Sequence, residues 1–317
     1  MVHDADPGGS TYVKKQGKIE YIYGKRMLGD SQISEFIGRA DDPKIQGRAE
    51  SYRNAQAASR DRRKILGALK SAGLTTPLPQ VGRILEVIAD AGLFADGQGI
   101  LIGTAAYQSM DALVGMFLPS TAMMTGDIDV ATATLALRAK TEGDTMDKIL
   151  QRADKTFQPI GSIDRKAWPW RFKNDQGFLV ELLMPVKKRN DESTAKLRAI
   201  GAGAMRLQQL EWLIKDPVRA VVLYGAGVPI RVPDPARFAV HKLMISGKRR
   251  GDSIKYQKDL AQAAAICEAL SQTNPGHLAA MFDDARKRGK RGWADPINAA
   301  CKQIGFKLDE TGAHRAS

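Results

Sequence analysis

Apolar and polar residues along this chain first alternate and then recur at helical spacing, which predicts a hairpin followed by helices. Residues 12–27 alternate around Gly17, as the two strands of a β-hairpin do. Over 46–72 the pattern turns helical, and a second helix is predicted over 80–94 after glycine and proline interrupt the first. The amino-terminal part is therefore expected to be a hairpin plus a helical region.

The middle of the chain alternates short apolar strands with turns and helices, which predicts a mixed α/β core. First, a short strand in GILIGTAAYQSM (99–110) runs into a helix at Gly103-Thr104. The strand DIDVAT (127–132) and a helix near 142–156 follow. The strands WPWRFKND (168–175) and GFLVELLMP (177–185) are then joined by a turn at 174–177, and a hairpin covers 219–232.

The last third of the chain is predicted to be helical. The expected helices cover 235–246, 252–271, 276–288 and 295–304. The chain is thus expected to be an α+β protein in three parts: a basic hairpin plus helical region over 1–95, an α/β core with a mixed sheet over 96–232, and a helical domain over 233–317.

Composition places the chain among ordinary globular proteins and excludes a membrane-spanning class. It has 317 residues, of which 43% are hydrophobic and 26% are charged, and no apolar run approaches the ~20 residues that cross a bilayer. The start lacks the basic and apolar regions of a secretory signal. Cys267 and Cys301 form no CxxC pair. These features predict a reduced, cytoplasmic protein without structural zinc.

Net charge is the informative bulk property, because 48 Lys and Arg residues against 35 Asp and Glu residues give +13. Such an excess favours a polyanionic partner. Two runs are the candidate nucleic-acid surfaces: the basic helix of 48–70 and the stretch RKRGKRGW at 286–293. Their candidate contact residues are Arg62, Arg63, Lys64, Arg286, Lys287, Arg288, Lys290 and Arg291. The alternative for each run is a solvated charged face without a partner.

Three acidic residues in apolar strands are the candidate chemical centre. Strand alternation puts Asp127 and Asp129 on one face, while Ile128 and Val130 anchor the other. Glu181 is the single acid of FLVELLM. If the two strands are neighbours, three carboxylates converge and call for a divalent cation, and oxygen ligands favour Mg²⁺ or Mn²⁺. The alternative for the aspartates is a surface turn with solvated acids.

Gly103-Thr104 follows a strand and opens a helix, which is the arrangement that binds phosphate. Glycine lets a ligand approach the backbone, and the first amides of the helix together with the threonine hydroxyl can bind phosphate oxygens. The order of strand, Gly-Thr turn, helix and two acidic strands is more informative than any one of these features.

With these residues in view, the chain resembles a bacterial family of nucleotidyltransferase-fold proteins in the DNA polymerase β superfamily, allied to the AbiEii-type toxins. The segments that carry the resemblance, within about 96–272, are LIGTAAY, TGDIDV, VELLMP, PDPARFAVHKLMIS and KYQKDLAQA. The resemblance implies a polymerase-β-type core, with Asp127, Asp129 and Glu181 as catalytic metal ligands. It also implies that Gly103, Thr104, Lys242 and Lys258 bind the nucleotide. Threonine in place of serine at position 104 keeps the hydroxyl, and Glu181 keeps a carboxylate.

The resemblance and the charge together predict a Mg²⁺- or Mn²⁺-dependent enzyme that moves a nucleoside monophosphate from an NTP to an acceptor hydroxyl. The expected acceptor is RNA, such as a tRNA 3′ end, in a toxin- or defence-like role with an antitoxin partner and no membrane association. Two alternatives stay open: a protein or small-molecule acceptor, and a non-catalytic RNA-binding protein of the same fold.

Overall fold

The computed structural model of the chain describes residues 10–28, 31–119, 125–134, 136–137, 139, 141, 143–161, 167–186, 193–248 and 253–307. Its strands are β1 (Ser10–Gln16), β2 (Ile19–Leu28), β3 (Ser31–Arg39), β4 (Gly99–Ile102), β5 (Asp127–Thr132), β6 (Gln158–Pro159), β7 (Arg171–Lys173), β8 (Leu179–Pro185), β9 (Thr194–Leu197), β10 (Ala202–Leu207), β11 (Val218–Val222) and β12 (Val228–Val232). Its α-helices are α1 (Pro43–Ser71), α2 (Pro79–Asp90), α3 (Gly103–Tyr107), α4 (Asp111–Val114), α5 (Met146–Gln151), α6 (Leu210–Leu213), α7 (Pro235–Ser246), α8 (Ile254–Thr273), α9 (Pro275–Lys287) and α10 (Asp295–Gln303).

The amino-terminal strands form a small antiparallel sheet that packs one face on the long helix α1. The order is β1-β2-β3, so the predicted hairpin is extended by a third strand that the sequence pattern did not predict. Ile22 and Ile37 of the sheet pack with Ala49 and Tyr52 of α1 in a core of their own. Gly24 is required beneath the helix, because a Cβ there would lie 2.6 Å from the Tyr52 ring.

A buried arginine helps to tie this small sheet to the rest of the molecule. Arg26 of β2 is buried, and its guanidinium contacts Glu35 of β3 at 3.0 Å and Asp90 at the end of α2 at 2.8 Å. Two carboxylates thus compensate the desolvation of one buried cation.

The central sheet is mixed, which confirms the expected α+β fold. Its strands run in the order β4-β5-β8-β10-β9, with β7 beside the start of β8 and β6 beside β7. The pair β5/β8 and the pair β8/β10 are parallel, whereas β4/β5, β7/β8 and β9/β10 are antiparallel. The parallel register of β5 and β8 positions the site described below.

Some predicted boundaries were wrong, and the departures have local causes. The helix expected near 142–156 covers only Met146–Gln151, since Gly143 is left-handed with φ +82°. The helix expected over 80–94 ends at Asp90, because Gly92 turns the chain with φ +84°. Only Arg171–Lys173 of the predicted strand 168–175 is extended in the sheet.

The carboxy-terminal helices lie where the sequence predicted them and close the core over the sheet. Asp234 caps α7 by accepting a hydrogen bond from the backbone N–H of Arg237 at 3.0 Å, with Pro235 at the first helical position. In the described part of the chain every helix is too short or too polar to cross a lipid bilayer. The three-part domain division stays a prediction.

Candidate active site

The two aspartates of β5 project from one face of their strand while the residues between them anchor it. Ile128 and Val130 are fully buried in the core, whereas Asp127 and Asp129 are only partly buried. This arrangement follows from strand alternation and keeps both carboxylates at the accessible side of the sheet.

Glu181 lies on the neighbouring strand in direct register with Asp129. The strands β5 and β8 pair in parallel, and the pairing sets Asp129 opposite Glu181 and Asp127 opposite Leu179. The sequence left open whether the two acidic strands are neighbours, and the structure places them side by side. The three carboxylates therefore share one face of two adjacent strands.

The carboxylates perturb one another, because burial and mutual repulsion both disfavour their charged forms. Burial, followed by the charges of Asp127 and Glu181, raises the pKa of Asp129 to about 7. Burial and the charge of Asp127 also raise the pKa of Glu181, while a hydrogen bond between the carboxyl groups of Asp129 and Glu181 acts against that rise. Asp129 therefore takes up a proton more readily than an ordinary aspartate does.

Asp127 is oriented by a residue that the sequence pattern did not single out. The Thr125 hydroxyl donates a hydrogen bond to Asp127 Oδ1 at 2.5 Å. The hydroxyl therefore fixes the carboxylate at the start of β5, where the chain enters the sheet.

The Gly-Thr turn lies against the same carboxylates. Ile102, the last residue of β4, pairs with Asp129, and Gly103 follows in the left-handed conformation with φ +69°. A Cβ at Gly103 would lie 2.6 Å from Asp129 Oδ2, so glycine is required both by the backbone and by the carboxylate. The buried Thr104 hydroxyl accepts a hydrogen bond from Gln262 Nε2 of α8 at 3.3 Å.

Lysines of α7 and α8 act on the carboxylates through their charge. Lys242 lowers the pKa of Asp129 by its charge and donates to Asp259 Oδ1 at 2.6 Å. Burial lowers the pKa of Lys258, and the charge of Asp127 partly offsets that effect. Both lysines that the resemblance implied are thus near the acidic strands, and Asp259 serves as the partner of Lys242.

Two further cations at this site were missed by the sequence analysis. The charge of Lys255 on α8 lowers the pKa of both Asp129 and Glu181. Arg171 of β7 pairs with Glu181 across the other edge of β8 and also lowers its pKa. The signal for Lys255 was its place one helical turn before Lys258. Arg171 carried no signal until β7 was known to flank β8.

The donor set fits a divalent cation in type and charge. Among the residues that the structure describes, no three histidine, cysteine, aspartate or glutamate side chains form a ready-made metal site. Asp127, Asp129 and Glu181 nevertheless offer only oxygen donors, which suit Mg²⁺ or Mn²⁺. A cation would also relieve the repulsion that raises the pKa of Asp129.

The basic residues predicted to contact nucleic acid lie on elements other than those of the carboxylate site. Arg62, Arg63 and Lys64 belong to α1, and Lys64 pairs with the exposed Asp61 at 3.2 Å. The second group is spread over the end of α9 and the irregular helical turn Lys290–Ala294, and consists of Arg286, Lys287, Arg288, Lys290 and Arg291. Their contact with nucleic acid stays a prediction.

Comparison with known proteins gives one family match and one structural likeness. The family described as Nucleotidyltransferase matches residues 79–287, about two thirds of the chain. An antigenic nucleotidyltransferase-like protein from Paracoccidioides brasiliensis is similar in structure at 13% identity, with 72% of this chain and 94% of that chain covered and a TM-score of 0.34. A TM-score this low does not establish a shared fold. No curated protein matches the sequence.

Proposed function

We propose that this chain transfers a nucleoside monophosphate from an NTP to a hydroxyl group of RNA. The premise is that the chain belongs to the nucleotidyltransferase family, which it matches over residues 79–287. One observation carries the proposal: Asp129 and Glu181 are cross-strand neighbours beside the Gly103 turn. Family membership supports nucleotidyl transfer in general, and the remaining steps of the proposal rest on the residues below.

In this proposal Asp127, Asp129 and Glu181 hold Mg²⁺ or Mn²⁺. When bound, such an ion neutralises phosphate charge and the charge that develops on the attacking and leaving oxygens. Binding of the ion would favour the ionised form of both Asp129 and Glu181, since a carboxylate must lose its proton to serve as a ligand.

The other residues of the site bind and orient the NTP. The backbone at Gly103-Thr104 accommodates phosphate oxygens at the start of α3, while Lys242, Lys255 and Lys258 supply positive charge from the opposite side. The acceptor oxygen forms a bond to the α-phosphorus, and the bond to the oxygen that bridges the α- and β-phosphorus breaks. Pyrophosphate leaves, and the Glu181 carboxylate accepts the proton of the acceptor hydroxyl.

The charge of the chain supports RNA as the acceptor. An excess of +13 favours a long polyanion over a small molecule, since each phosphate contact adds attraction. The proposed acceptor is a tRNA 3′ end in the cytoplasm, and the proposed role is growth inhibition or defence with an antitoxin partner, as the resemblance to AbiEii-type toxins implies. A protein or small-molecule acceptor is the competing reading.

A labelling experiment tests the proposal. The full chain is incubated with total tRNA, Mg²⁺ and each α-³²P-labelled NTP in turn, beside the Asp127→Asn/Asp129→Asn variant. Label on RNA with the unaltered chain alone supports the proposal and identifies the nucleotide. If a protein or a small molecule is labelled but RNA is not, the proposed transferase activity is supported and the proposed RNA acceptor is overturned. No labelled product of any kind from a folded protein that also fails to bind NTP would overturn the enzyme.

A further inference from the structure

One face of the amino-terminal sheet carries a cluster of aromatic rings, two of which are exposed among the residues that the structure describes. We define the aromatic face as Tyr12, Tyr21, Tyr23 and Phe36. The opposite face of the sheet packs on α1 through Ile22 and Ile37. The family match begins at residue 79, so this sheet lies outside the matched segment.

The rings of the aromatic face are held in a row across three strands. Tyr12 pairs with Tyr23 in the register of β1 and β2, and their rings stack with centroids 5.5 Å apart. Tyr23 pairs with Phe36 of β3, and those two rings meet edge to face at 5.4 Å. Tyr21 contacts Phe36 at 5.8 Å. The row is therefore ordered by cross-strand pairing before any ligand arrives.

The two ends of the row are open to solvent. Phe36 is 60% exposed and Tyr12 is 38% exposed. Contiguous exposed aromatic surface on a soluble domain indicates an interaction site. In single-stranded nucleic acid the bases can stack on planar aromatic rings that a sheet presents. Such stacking does not depend on the base sequence.

Exposed cations accompany the rings on the same face. Lys14 pairs with Tyr21, and Lys25 lies two residues after Tyr23 on β2. Strand alternation puts Glu20 and Glu35 on the opposite face of the sheet. Arg39, opposite Tyr21, is paired with Asp41 at 2.6 Å.

Further cations line a groove on the α1 side of the sheet, beyond the β1 edge that carries Tyr12. A groove of about 640 Å³ lies between the sheet and α1, and Tyr12 lines both surfaces. Its cations are Lys15, Lys18, Arg39 and Arg53, against the carboxylates Glu20 and Asp41. A strand whose bases rest on the rings would thus find Lys14 and Lys25 for its phosphates on the aromatic face itself, with the groove cations beyond the β1 edge.

From these contacts we propose that the aromatic face binds single-stranded RNA, with bases stacked on Phe36 and Tyr12 and phosphates near Lys14 and Lys25. A protein partner is less well matched, because the remaining side chains of this face include Gln16, Gln32 and Ser34 rather than an aliphatic patch. The choice of RNA rests on the proposed function, in which RNA is the acceptor, whereas binding itself requires neither NTP nor metal.

The test measures binding of a fluorescein-labelled 12-nucleotide single-stranded RNA to the full chain by anisotropy, without NTP or divalent cation. Phe36→Ala is expected to weaken binding by roughly tenfold, and Tyr12→Ala/Phe36→Ala by more. Phe117→Ala is the matched control, since Phe117 is another exposed phenylalanine, at 65%, and should leave affinity unchanged. Melting temperatures of the variants show that they fold.

The outcomes separate this proposal from the proposed function. Asp127→Asn/Asp129→Asn should bind RNA normally while it transfers no label, whereas Tyr12→Ala/Phe36→Ala should retain NTP binding. The proposal would be overturned by no RNA binding by the unaltered chain, by equal affinities for Phe36→Ala and the unaltered chain, or by tighter binding of a DNA strand of the same sequence. Binding of a protein in place of RNA at this face would also overturn it.

Discussion

Asp129 and Glu181 lie opposite each other in the register of the parallel strands β5 and β8. Two acids in register are a destabilising pair unless a proton or a cation lies between them. The sequence keeps this pair on strands whose other faces, at Ile128 and Val180, are fully buried. The buried faces of the two strands thus hold mutually repelling carboxylates next to each other, an arrangement that is typical of a catalytic site.

Removal of one carboxylate should therefore stabilise the metal-free protein. Asp129→Asn relieves the repulsion with Asp127 and Glu181, and we expect it to raise the free energy of unfolding by about 1 kcal/mol. At this chain length that is roughly 1–2 °C in melting temperature, measured in EDTA at pH 8. Addition of Mg²⁺ should raise the melting temperature of the unaltered chain and have little effect on the variant. A variant that melts lower than the unaltered chain in EDTA would contradict this account.

Alanine substitutions at two glycines distinguish the effect of backbone strain from the effect of displacing a site residue. Gly103 and Gly97 both have positive φ, +69° and +75°, but a Cβ at Gly97 meets nothing within 4 Å. Each change to alanine should cost about 1–2 kcal/mol of stability. Only Gly103→Ala should also push Asp129 aside and reduce the transfer rate, by roughly a hundredfold. Equal transfer rates for the two variants would show that the contact between Gly103 and Asp129 has no role in the reaction.

The lysines of α8 should act on the nucleotide rather than on the fold. We expect Lys255→Ala and Lys258→Ala each to lower kcat/KM for the NTP by about tenfold or more, since each would remove a charge-assisted contact to phosphate. Arginine at either position should restore part of the loss. Lys70→Ala, on the exposed surface of α1, is the control. Unchanged NTP kinetics in both alanine variants would remove these residues from the site.

Asp284, a carboxylate remote from the site, should account for part of the decrease in the free energy of unfolding at low pH. The indole N–H of Trp212 donates to Asp284 Oδ2 at 2.6 Å, and this hydrogen bond, with nearby arginines, holds the pKa of Asp284 below its ordinary value. The stabilisation is present above the ordinary aspartate pKa of about 3.9 and is lost as the pH falls through the lower folded value. Unfolding measured between pH 7 and 3 should therefore become less pH-dependent in Asp284→Asn. The same pH dependence in both proteins would contradict the assignment.

The sequence predicted the parts of the fold that local patterns determine. Alternation gave the opposite faces of Asp129 and Val130, and capping residues such as Asp234 gave the start of α7. Those features depend on neighbours along the chain, which a single sequence displays.

The missed features depend on contacts between distant segments. The strand β3 was missed, and its membership of the first sheet is visible only through its pairing with β2. Arg171 enters the site because β7 pairs with β8, and Lys255 enters it because the fold brings the start of α8 close enough for its charge to act on Asp129 and Glu181. The place of Arg171 cannot be read from residue spacing, whereas the spacing of Lys255 from Lys258 was a signal only once Lys258 was placed at the site.

The measurement that tests the central claim most directly is binding of Mn²⁺, followed by its electron paramagnetic resonance signal, in the presence of a non-hydrolysable NTP analogue. The account predicts that the unaltered chain binds Mn²⁺ and that Asp127→Asn/Asp129→Asn binds it at least tenfold less tightly. Asp283 is an exposed acid outside the site, so Asp283→Asn should bind Mn²⁺ with the affinity of the unaltered chain. Equal Mn²⁺ affinity in all three proteins would show that the acidic strands do not hold the cation.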